Sequence, residues 1–66
     1  MSERYEIRVQ GALSDALLGA FPGLTAEVRG GETVLSGALD QAALHGVLDQ
    51  IEALGIDLLE VRRPAD

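Results

Sequence analysis

The chain has 66 residues, with 11 acidic side chains against 5 basic ones and a formal net charge of −6. That length makes a single domain, residues 1–66, which buries only about 60% of the surface its unfolded chain exposes and is marginal alone. It has no Cys, so neither disulfides nor thiolate metal sites supplement the core. The acidic balance argues against nucleic acid and anionic membranes as partners, since both select basic surfaces.

Tyr5-Glu6-Ile7-Arg8-Val9 alternates strictly, the pattern of a half-buried strand. Tyr5, Ile7 and Val9 are expected to face the core, and Glu6 and Arg8 to face away. Gly11 makes the turn that follows. Ser14 is an expected N-cap, with Leu13 and Leu18 at the spacing of a hydrophobic staple. Leu13, Leu17, Leu18 and Phe21 form the apolar stripe of a short helix, which Pro22 is expected to stop. Gly23 turns the chain into a strand starting near Leu24.

Gly30-Gly31 separates Ala26-Glu27-Val28-Arg29 from Glu32-Thr33-Val34-Leu35. Two glycines suit a two-residue hairpin loop of type I′, which needs φ > 0 at both positions. The implied register sets Arg29 opposite Glu32, Val28 opposite Thr33, Glu27 opposite Val34 and Ala26 opposite Leu35. Directly opposed residues share a face, so Ala26, Val28, Thr33 and Leu35 are expected on the core side. Glu27, Arg29, Glu32 and Val34 are expected on the other.

Asp40 is the next N-cap, with Leu39 and Leu44 at staple spacing. Leu44, Val47, Leu48, Ile51 and Leu54 then recur at three and four residues, one face of an α-helix. Gly55 ends it as a residue able to adopt the left-handed conformation. Gly46 inside this helix costs roughly 1 kcal/mol against Ala. A final strand is expected at about Leu58 to Arg62, with Leu59 and Val61 inward, before a polar tail from Arg63 to Asp66.

The order β-α-β-β-α-β predicts an α+β, ferredoxin-like (split β-α-β) sandwich. Its four-stranded antiparallel sheet, order 4-1-3-2, carries two helices on one face. The other face is left open. It is expected to carry Glu6, Arg8, Glu27, Arg29, Val34, Glu60 and Arg62, together with Ser36, and Leu58 at its margin. Such interleaved charges form either a solvated surface with weak cross-strand pairs or a self-complementary interface that meets its own copy across a two-fold axis. Sequence-selective RNA binding on a sheet of this topology needs stacking aromatics, and the two aromatics, Tyr5 and Phe21, are assigned to the core.

Catalytic chemistry finds little purchase. His45, Asp49 and Glu52 have i, i+4, i+7 spacing and types that suit zinc or manganese, but a solvated helix face explains them better. Ser14 and Ser36 have no base at motif spacing. Gly30-Gly31 lacks the helix and Lys of a phosphate loop. No metal, cofactor or catalytic residue is therefore expected, and the chain is not expected to be an enzyme. The polar N-terminus lacks the apolar core of a signal peptide, and no stretch approaches the ~20 apolar residues of a membrane span. The expected compartment is the cytoplasm. The absence of Lys and Asn beside abundant Ala, Gly and Leu suggests a GC-rich bacterial genome.

Three resemblances accompany these readings. The whole chain resembles a set of small, uncharacterised proteins of high-GC actinobacteria. The segments that carry this are Tyr5 to Val9, Leu17 to Leu24, Asp40 to Leu48 and Leu58 to Arg63. The order of elements is similar to that of ACT domains, which bind amino acids or other small effectors between paired copies. In Val9-Gln10-Gly11-Ala12-Leu13, Gly11 matches their glycine near the end of the first strand, although the acidic residue and proline usual before it are missing. That resemblance implies a small effector bound near Gly11. The segment Ala26 to Gly37 looks like the central hairpin of BON domains, envelope modules linked to phospholipid binding. Those domains usually lack this first strand and usually follow a secretion signal.

The leading expectation is a small interaction module. It would work as a homodimer, or dock on a larger partner protein, through its open sheet face. The alternative is an ACT-like regulatory domain that binds a small effector.

Overall fold

A computed structural model describes residues 1–64, so the last two residues of the expected polar tail, Ala65 and Asp66, lie outside the described residues. The elements are β1 (Glu3–Gln10), α1 (Asp15–Leu18), β2 (Thr25–Arg29), β3 (Glu32–Leu39), α2 (Gln41–Ala53) and β4 (Leu58–Arg62). They form one antiparallel sheet in the order β2-β3-β1-β4. The fold is α+β and ferredoxin-like, with both helices on one face of the sheet.

The hairpin register is the one the two glycines dictate: Arg29 opposes Glu32, Glu27 opposes Val34 and Ala26 opposes Leu35. The turn itself differs from expectation. Gly30 has φ 60°, whereas Gly31 has no positive φ. One positive φ at the first loop position is the pattern of a type II′ turn rather than I′. Both types close a two-residue loop, so the register is the same.

Both caps form. The Ser14 hydroxyl accepts from the Leu17 N–H at 3.3 Å, and Asp40 Oδ1 accepts from the Ala43 N–H at 2.7 Å. At the far end of α2, the Gly55 N–H donates to the Glu52 carbonyl and the Ile56 N–H to the Ile51 carbonyl. With Gly55 at φ 72°, this is a Schellman cap. Helix α1 is shorter than expected. It ends at Leu18, before Pro22, because Gly19 caps it and Ala20 and Phe21 bond back three residues rather than four.

The core is Ile7, Val9 and Leu35 from the sheet, closed by Phe21, Leu44 and Ile51. Leu24 lies so close over β3 that a Cβ at Gly37 would come within 2.8 Å of its Cδ2 and 3.2 Å of the Gly23 carbonyl oxygen. Gly46 has open space at the same position, so it marks no packing contact.

The two edge strands depart from expectation. Val61 and Val28 stand on the expected helix side, opposite Ile7 and Thr33, yet are 36% and 50% exposed, and Leu59, expected inward, is 40% exposed. The helical layer is too small to reach the edges. Helix α1 is one turn, and α2 lies over β3. Strand β4 also carries a bulge: Arg8 opposes Glu60 and Val9 opposes Leu58, which leaves Leu59 as the extra residue.

Candidate interaction surface

The sheet face away from the helices is built by strand alternation. Strand register sets Glu27, Val34, Arg8 and Glu60 in one row across all four strands. Thr25, Ser36, Glu6 and Arg62 form the next row, and Arg29, Glu32 and Gln10 a third. Glu6, Arg8, Arg29, Val34, Glu60 and Arg62 together line a shallow depression of about 80 Å³ at the centre. Glu27 stands beside it.

Leu58 is the exception among the residues expected here. It opposes Val9, which is fully buried on the helix side, and opposed residues share a face. It lines a second depression, of about 240 Å³, with Leu48, Asp49, Ile51, Glu52 and Ile56. The bulge at Leu59 is the cause. It shifts the alternation by one residue, so Leu58 turns to the helices while Glu60 and Arg62 stay on the open face. That second depression has an apolar floor and an acidic rim, and it falls below the roughly 300 Å³ at which small-molecule pockets usually begin.

The charges of these three rows are paired within the chain. Arg8 Nη1 donates to both carboxylate oxygens of Glu32, at 3.0 and 3.1 Å, and Arg8 Nη2 lies 3.5 Å from Glu60. Arg29 holds Glu27 through two bonds, Nε to Oε1 at 2.7 Å and Nη2 to Oε2 at 3.2 Å. Arg62 Nε lies 3.4 Å from Glu6. The hydrogen bonds and charge of Glu32 hold the Arg8 pKa above its ordinary value. Those of Arg29 hold the Glu27 carboxyl below its own, and Glu27 in turn raises Arg29.

Glu32 stands on this face, opposite Arg29, as the hairpin register places it. Its side of the hairpin is legible in the sequence. Its bond to Arg8 depends on the β1–β3 register, which no local pattern carries.

Gly11 has φ 98°. Its N–H donates to the Gly31 carbonyl at 2.6 Å, and its own carbonyl accepts from the Thr33 hydroxyl at 2.7 Å. The same hydroxyl accepts from the Leu13 N–H at 3.1 Å. Thr33 is fully buried, so this clasp ties the β1–α1 connection to β3. The polar backbone groups of Gly11 are thus engaged by the chain itself. His45, Asp49 and Glu52 are all exposed. Among the described residues, no three His, Cys, Asp or Glu side chains are grouped to hold a metal ion. No helix among them is long and apolar enough to cross a membrane.

Residues 4–62 match the family model described as "Domain of unknown function (DUF8691)". The chain belongs to the DUF8691 family. The match runs from Arg4 in β1 to the last residue of β4, so all of the sheet described above except Glu3 lies within the DUF8691 domain. A comparison with curated proteins found no match. A comparison with solved structures found none either.

Proposed function

We propose that this DUF8691 domain is a small, non-catalytic interaction module that holds a protein partner on its open sheet face. One observation carries the reading. The open face bears four arginines (Arg4, Arg8, Arg29, Arg62) and four glutamates (Glu6, Glu27, Glu32, Glu60), and is therefore neutral, while the chain as a whole carries −6. The entire excess of negative charge lies on the helices, connections and ends. A protein surface approaching the helix side meets that excess. One approaching the sheet meets balanced, ordered charges around Val34, the kind of pattern that selects a register and rejects wrong partners.

The same layout favours protein over nucleic acid. The open face has no net positive charge and no aromatic side chain: Phe21 is buried and Tyr5 packs against the core. The reading takes the cytoplasm as the compartment, which fractionation of the source cell checks.

The test is a pair of tagged variants in the source cell. Arg29→Glu with Val34→Glu alters the open face on β2 and β3, and Asp49→Arg alters the helix side. A partner recovered with the wild-type chain and the Asp49 variant, but lost with the open-face variant, supports the reading. Equal recovery with all three overturns it, and so does recovery lost only with the Asp49 variant.

A further inference from the structure

Strand β4 is an edge of the sheet, so one row of its backbone N–H and C=O groups has no neighbouring strand. Every residue of it is exposed, including Leu58 at 45%, Leu59 at 40% and Val61 at 36%. Edge strands are ordinarily short, charged or covered, because a bare apolar edge is a template for another strand. The opposite edge, β2, has one large exposed hydrophobic residue, Val28, and its Glu27 and Arg29 are locked to each other through two hydrogen bonds.

We infer that β4 pairs antiparallel with β4 of a second copy about a two-fold axis at Val61, joining two domains into one eight-stranded sheet. A two-fold axis normal to the sheet sets a residue opposite its own copy, and the side chains choose which. With Val61 at the centre, Val61 meets the partner's Val61 on the helix side. Glu60 then meets the partner's Arg62 on the open face, and does so twice by symmetry. The row Arg8–Glu60 continues into the partner's Arg62 and the partner's Glu6, so the signs alternate across the junction.

Neighbouring registers are worse. Centring on Glu60 or Arg62 opposes like charges, which is destabilising. Centring on Leu59 falls on the bulge. Beyond Arg63, Pro64 has no N–H to give and ends the pairing. Glu60 and Arg62 also have capacity to spare. Their pairs within the chain, with Arg8 and Glu6, are 3.5 and 3.4 Å apart, longer than the Arg8–Glu32 and Arg29–Glu27 contacts at 3.0 and 2.7 Å. Pairing through the edge leaves the open face uncovered and doubles its width, so this inference does not depend on which protein the open face takes.

The chain has no Cys, so a single introduced one is a clean probe of register. Opposed residues of antiparallel strands have Cα atoms about 4.5–5.5 Å apart, within disulfide range. Light scattering of the wild-type protein up to about 1 mM should show a concentration-dependent dimer. Val61→Arg should raise its dissociation constant at least about tenfold, and Val28→Arg should leave it unchanged. On mild oxidation Val61→Cys should become a covalent dimer, and Val28→Cys should not. A monomer throughout that range overturns the inference. A dimer that dissociates with the Val28 variant, or that cross-links through Val28→Cys and not Val61→Cys, overturns it as well.

Discussion

Two glycines show how much a single residue's surroundings decide. Gly37 has a negative or extended φ that any residue could adopt, yet a Cβ there would press on Leu24 and on the Gly23 carbonyl. Gly46 lies in the middle of α2 with nothing near its missing Cβ. Gly37→Ala should therefore cost about 1–3 kcal/mol through overpacking. Gly46→Ala should add roughly 0.5–1 kcal/mol through helix propensity. Urea unfolding of the two variants should move the midpoint in opposite directions. The Glu27 carboxyl supplies a titration test. Its bonds to Arg29 favour the charged form, so its folded pKa lies below that of an unfolded Glu. The stabilisation is complete above the ordinary Glu pKa and fades as pH falls through the lower, folded value. Carboxyl carbon NMR should give Glu27 a midpoint below that of an ordinary glutamate, and Arg29→Gln should move it upward. The pair is largely exposed, so screening by salt should shrink the difference.

At the scale of elements, the helices divide into one that stands on its own local signals and one that does not. Helix α2 has 13 residues, a side-chain cap at 2.7 Å, a Schellman cap and two buried anchors, Leu44 and Ile51. Helix α1 has four residues, a cap at 3.3 Å and no buried side chain. Asp40→Ala should cost about 1 kcal/mol, and Ser14→Ala should cost less, because its bond is longer and its helix has almost no turn to lose. Thermal melting of both variants checks the ranking. What was legible in the sequence follows the same division. The Asp40 cap, the Gly55 cap and the hairpin register are written within a few residues of where they act. The early end of α1 was not legible, because the stripe through Leu17, Leu18 and Phe21 has helical spacing. Phe21 reaches the core through a tighter turn after Gly19 instead. The sides of Leu58 and Leu59 were hidden too. They depend on a bulge against β1, at the other end of the chain, and alternation within β4 carries no sign of it.

Across the whole molecule, charge and apolar surface are sorted differently from the usual picture of a polar outside and an apolar inside. The net negative charge collects on the helix side and ends, the balanced charges lie on the open sheet, and three of the six exposed large hydrophobic side chains among the described residues lie along β4. The open-face residues other than the misplaced Leu58 were legible because alternation fixes the side of each residue in an unbulged strand. Their mutual pairing was not, since Arg8 reaches Glu32 and Glu60 only once three strands stand side by side. The buried Thr33 hydroxyl imposes a comparable order in time. It belongs to the hairpin, yet its partners Gly11 and Leu13 lie 22 and 20 residues earlier. A hairpin of neighbouring residues closes in roughly 1–10 μs. The β1–α1 connection has no home for its polar groups until β3 has been laid against β1. The first helical turn is thus expected to organise after the sheet, although it is made near the start.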